Sequence, residues 1–121
     1  MNTKTSLLGS FKYALSGIGF AIINNRNMQI HVLAALVALV LSLYFKIEKG
    51  ELLAIIVMII LVVSAEMINT SIEEMTNLIT KEHRREAKIA KDVSAGMVLV
   101  VSLGALVVGL YVFLPRILNL L

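Results

Sequence analysis

At 121 residues and 59% hydrophobic, the chain exceeds the apolar share of about 45 to 50% usual in soluble domains, and it gathers that excess into three long runs. A soluble three-helix bundle needs polar faces recurring every three to four residues, and Val32 to Leu43, Leu52 to Ala65 and Met97 to Leu114 offer only a few Ser and Gly. The net charge of +3 fits positive-inside anchoring and contact with anionic lipid or nucleotide better than nucleic-acid binding, for which there is no motif, and the absence of cysteine excludes disulfides and thiol catalysis.

The first element is expected over about residues 5–24. Leu8, Phe11, Leu15, Ile18 and Ile22 recur at intervals of three and four among Ser10, Lys12 and Ser16, the pattern of an amphipathic helix lying in the membrane interface. A signal peptide would show a continuous apolar core and a cleavage site, which this stretch lacks. Gly17 and Gly19 lack the context of a dinucleotide loop and are read as permitting close packing of this helix.

Three transmembrane helices are expected next, over about 28–45, 51–79 and 93–114. The first and third are near the roughly 20 residues that cross a bilayer. The second, at about 1.5 Å per residue, is roughly 43 Å long against a hydrocarbon core of about 30 Å, so its C-terminal end projects into water. A polar loop over 80–92 follows it, and Pro115 marks the end of the last helix. The expected fold is thus an all-α membrane protein, one domain over 1–121. Lys4, Lys12, Arg26, Lys81, Arg84, Arg85, Lys88 and Lys91 then share one side, against Lys46, Lys49 and Arg116 on the other. That bias places the N-terminus and the 80–92 loop in the cytoplasm.

Within the second crossing, Glu66, Glu73 and Asn77 fall within roughly 20 degrees of one line at about 100 degrees per residue, with Asn69 about 60 degrees aside. Burying a carboxylate in a bilayer costs at least about 2 to 3 kcal/mol, which makes Glu66 a functional candidate. Glu66 and Glu73 are about 10 Å apart along the helix. One can act as a base at lipid depth while the other meets solutes from water. Phosphoryl transfer to a lipid alcohol needs such a pair: a base for the acceptor hydroxyl, a metal ligand, and cations for the developing charge. Thr80 to Asp92 supplies Glu82, His83, Arg84, Lys88, Lys91 and Asp92; the plainer reading anchors its cations on headgroups and makes Asp92 a helix cap. His31 and His83 stand alone, and no P-loop, protein-kinase or zinc signature occurs.

The run Glu66-x-x-Asn69-Thr70-x-Ile72-Glu73, followed by Ala90-Lys91-Asp92 and Ala95-Gly96, resembles the signature of the small prokaryotic membrane diacylglycerol kinases and their undecaprenol kinase relatives. Phe11-Lys12-Tyr13-Ala14 with Gly17, and Asn27 with Ile30-His31, resemble the undecaprenol kinase branch. The resemblance implies a homotrimer in the bacterial inner membrane that phosphorylates a lipid alcohol with ATP and magnesium at the cytoplasmic face, undecaprenol favoured over diacylglycerol. It implies Glu66 as catalytic base, Asn69 orienting it, Glu73 binding magnesium, and Tyr13, Glu82, Arg84, Lys91 and Asp92 contacting nucleotide.

Two positions depart from that pattern. Asn25 stands where a second metal-binding Glu is expected, and Asn77 where an Asp is expected. Asn25 remains a candidate metal and cofactor ligand through its carbonyl oxygen, with weaker affinity than a carboxylate. Two other readings are an oligomeric transporter using Glu66 as a proton relay and a non-catalytic membrane subunit.

Overall fold

The computed structural model describes residues 6–121; residue 5, at the expected start of the first helix, and Lys4 lie outside the described residues. Four helices follow in order: α1 (Leu7–Asn24), α2 (Arg26–Phe45), α3 (Lys49–Ile79) and α4 (Arg85–Leu118). All four are long and apolar enough to cross a membrane. Length and composition alone therefore do not set α1 apart from the three expected crossings.

Local chemistry explains the breaks. The Ser6 hydroxyl accepts from the Gly9 N–H at 3.1 Å and starts α1. Asn25 (φ −124°, ψ 112°) separates α1 from α2 and caps the latter. Between α2 and α3, Lys46 takes a left-handed conformation (φ 51°, ψ 53°), a costly one for a residue with a Cβ, and its N–H closes on the Ser42 carbonyl. Glu51 then reaches back to the Glu48 N–H at 3.2 Å, as in a capping box.

Three expectations are corrected. The 80–92 segment is not all loop: α4 begins at Arg85, with Arg84 in the capping position, so Lys91 and Asp92 lie on a helix and Asp92 caps nothing. The reason is local, since Arg, Glu, Ala and Lys are strong helix formers and Lys88 pairs with Asp92 one turn on. Pro115 does not end α4, which runs on to Leu118. A proline removes one backbone donor, here the one that would reach the Tyr111 carbonyl, and the loss falls in the last turn of α4; beside it the Arg116 guanidinium donates to the Val112 carbonyl at 2.7 Å. Gly17 and Gly19 are not sites of close approach within the single chain: among the described residues a Cβ at either meets nothing within 4 Å.

Helices α3 and α4 pack along much of their length, with α2 against α3. At one end Ile55, Val112 and Phe113 form a small buried core, closed by Ala38, Leu41, Phe45 and Ile59. Beside it Arg116 grips Glu51 with two bonds, Nη2 to Oε1 at 2.7 Å and Nη1 to Oε2 at 2.8 Å. The pair ties the start of α3 to the end of α4, and bidentate geometry makes it stronger than a loose surface pair. Arg116→Ala lowers the thermal midpoint in detergent, and adding Glu51→Gln lowers it little further. Fully additive losses in that double-mutant cycle would contradict the coupling.

Candidate functional site

The site grows from the middle of α3. Glu66 is only 1% exposed, and Asn69 is 5% exposed one turn later. Two chain segments distant in sequence make that burial tolerable, since a buried polar group needs hydrogen-bonding partners. From the α1–α2 junction, Asn25 Nδ2 donates to Glu66 Oε1 at 2.9 Å and to Thr70 Oγ1 at 2.8 Å. The Thr70 hydroxyl donates to the Glu66 carbonyl at 3.0 Å. From α4, the Ser94 hydroxyl donates to Asn69 Oδ1 at 2.7 Å. Asn69 Nδ2 in turn donates to Glu73 Oε1 at 3.3 Å.

One atom is left out of this network. Glu66 Oε2 is buried with no hydrogen-bond partner among the described residues. Its nearest basic neighbour is His31 Nε2 on α2, 3.7 Å away, beyond hydrogen-bond reach. A hydroxyl oxygen entering between the two is the kind of group that satisfies both. His31 also stands at one end of an apolar groove of about 430 Å³ bounded by α2, α3 and α4, with Ala34, Ala38, Val62, Leu106 and Phe113 in its walls.

The depth relation is set by Asn25. Because this residue immediately precedes α2 and touches Glu66 and Thr70, the start of α2 is level with the middle of the polar stripe. The rest of α3, residues 71–79, extends about 13 Å past that level at 1.5 Å per residue. Glu73 is half-buried on this extension, and Asn77 is exposed.

The expected nucleotide contacts are spread along the same end. Lys91 Nζ donates to Asn77 Oδ1 at 2.7 Å, across from α4 to α3. Asp92 is held by Lys88, and its hydrogen bond and negative charge keep the Lys88 ammonium above the ordinary lysine range. Glu82 and Arg84 pair with one another at 3.1 Å and both line a surface hollow of about 730 Å³ at the α3–α4 turn. Tyr13, on α1, is 68% exposed and joins none of these contacts among the described residues. No group of three His, Cys, Asp or Glu suited to a metal occurs among the described residues. Glu73, with one oxygen steadied by Asn69, suits a shared metal site in which phosphate oxygens complete the shell. Asn25 suits it poorly, because its single ligating atom, Oδ1, accepts the Asn27 and Met28 N–H groups at 2.9 and 3.3 Å.

Sequence reasoning missed Thr70 as a site residue, and Ser94 as well. The chain does signal them, as hydroxyls one turn from Glu66 and three residues from Lys91. Nothing in a linear pattern says which acceptor each will find.

A family model described as prokaryotic diacylglycerol kinase matches residues 12–113. The diacylglycerol kinase of Synechocystis sp. is 32% identical over 117 residues, an alignment that spans 96% of this chain and 67% of that protein. The undecaprenol kinase of Bacillus subtilis is 36% identical over 107 residues, 88% of this chain and 87% of that protein. The matched span contains the buried Glu66, the Asn69–Glu73 contact and the Lys91–Asp92 pair, and a match of that extent means that this chain belongs to the prokaryotic diacylglycerol kinase family and is a lipid kinase of the membrane.

Proposed function

We propose that the chain transfers the γ-phosphoryl group of ATP, with magnesium, to a long-chain lipid alcohol at the cytoplasmic face of the bacterial inner membrane. The observation that carries this reading is the Glu66 carboxylate, buried with Oε1 bonded and Oε2 free beside His31. Glu66 Oε2 takes the proton of the acceptor hydroxyl. The hydroxyl oxygen then bonds to the γ-phosphorus as the bond to the β–γ bridging oxygen breaks, and ADP leaves. Magnesium, when bound, would offset the negative charge of the nucleotide phosphates. Glu73 would hold it, Asn69 steadies Glu73 while Ser94 steadies Asn69, and Lys91, Arg84, Glu82, Asp92 and Tyr13 would meet the nucleotide.

The acceptor's tail runs along the apolar groove that starts at His31, whose volume of about 430 Å³ lies in the usual range for ligand sites of about 300 to 1,000 Å³. Undecaprenol is favoured over diacylglycerol. Supporting this, Ile30-His31 resembles the undecaprenol kinase branch. Helix α1 lies in the interface with the N-terminus cytoplasmic, supported by its polar Ser10, Lys12 and Ser16 and by the distribution of basic residues. The working unit is a homotrimer, which gathers nucleotide residues that a single chain leaves dispersed. Competition between undecaprenol and diacylglycerol for limiting ATP in mixed micelles tests the acceptor. Preferential phosphorylation of undecaprenol is expected, and preference for diacylglycerol would overturn the assignment.

Asn77 makes a specific prediction. As a neutral acceptor it holds Lys91 in place without cancelling its charge. Asn77→Ala removes the acceptor that holds Lys91 Nζ and raises KM for ATP severalfold with kcat nearly kept, measured by ATP titration at saturating lipid. An unchanged KM would remove Lys91 from phosphate binding.

A further inference from the structure

Asn25 has replaced a residue expected to bind metal, and the contacts of its side chain give it another task. A side-chain amide has two N–H donors and an oxygen with two lone pairs, and all four are in use here. Oδ1 accepts the N–H groups of Asn27 and Met28, which caps α2, while Nδ2 donates to Glu66 Oε1 and Thr70 Oγ1. The amide orientation is fixed by this network. Turning it over would set Oδ1 against the Glu66 carboxylate and the amide N–H groups against two backbone N–H groups.

We infer that Asn25 is a positioning residue for the Glu66 carboxylate and takes no part in metal binding. It pins Oε1, so that Oε2 is the oxygen presented toward His31 and the incoming hydroxyl. As a neutral donor, it orients the carboxylate without competing for the proton. Ligating a metal through Oδ1 would strip the cap from α2, and turning the amide to do so would also break the Nδ2 bonds that hold the α1–α2 junction against α3. The charge lost at position 25 is therefore lost from metal binding, and the metal rests on Glu73 and phosphate oxygens. This inference depends on Glu66 being the base.

Two substitutions in the full chain separate positioning from ligation. Asn25→Ser keeps a good capping oxygen but is too short to reach Glu66. Its kcat for lipid phosphorylation falls about tenfold or more, as misplaced catalytic groups commonly cost, with KM for ATP unchanged. Manganese binding, read from the electron paramagnetic resonance of the free ion, stays that of the parent protein. Asn25→Asp also keeps the cap, but it loses the donor and sets a carboxylate beside Glu66; its kcat falls as well. A metal-ligand role gives opposite signs, because Asp binds a hard cation better than Asn. Severalfold weaker manganese binding in Asn25→Ser, or a higher kcat in Asn25→Asp, overturns the inference. Should Asn25→Ser fail to give a cooperative thermal transition, the kcat of Asn25→Asp decides alone. Failure of the underlying reading looks different: Glu66→Gln itself would retain full turnover.

Discussion

Glu66→Gln lowers kcat for lipid phosphorylation by about 10²- to 10⁴-fold, the range a general base contributes. The substitution is nearly isosteric, and the amide oxygen of Gln still accepts the Asn25 Nδ2 bond that now reaches Oε1. What disappears is the proton acceptor at Oε2, the one buried carboxylate oxygen of the cluster without a partner. The thermal midpoint therefore stays near that of the parent, because burying a neutral amide costs less than burying a carboxylate. ATP affinity, measured with a fluorescent nucleotide analogue, is also kept. A variant with parental turnover would remove Glu66 from the chemistry and leave its burial without a functional reason.

Glu73→Gln raises the magnesium concentration for half-maximal activity by about tenfold or more, since a neutral amide is a poorer ligand for a hard cation. The effect is larger than a lost carboxylate ordinarily implies, because Asn25 supplies no second ligand in this chain. Asn69 remains tied to Ser94, so the change falls on the metal more than on the packing. Magnesium titration at saturating ATP and lipid, paired with manganese binding by electron paramagnetic resonance, measures it. Half-saturation equal to the parent's would move the metal to other groups.

The polar stripe was legible because a carboxylate in an apolar run is conspicuous and 100 degrees per residue is simple arithmetic. The structure turns Glu66 toward Asn25 and His31, Asn69 toward Ser94 and Asn77 toward Lys91. Those partners were not legible: Asn25 and Glu66 are 41 residues apart, and which amide meets which carboxylate is decided by packing. The family was legible from the Glu66 to Glu73 run and the Lys91-Asp92 pair, whose spacing does not depend on knowing the packing. The start of α4 was missed because hydropathy marks only the part of a helix that lipid would cover. Residues 85–92 are helical for another reason, propensity and the Lys88–Asp92 pair. Pro115 misled for a similar reason, since a lost backbone donor near a helix end costs less than one in its interior.

The chemistry is tested most directly by following γ-labelled ATP with the purified protein in mixed micelles containing undecaprenol, with and without magnesium. Label that moves into a lipid phosphate only when magnesium is present, and not when Glu66 is replaced by Gln, is the predicted result. Label that stays in ATP or appears solely as inorganic phosphate, with undecaprenol and diacylglycerol both supplied to folded protein, contradicts transfer to a lipid alcohol at this site.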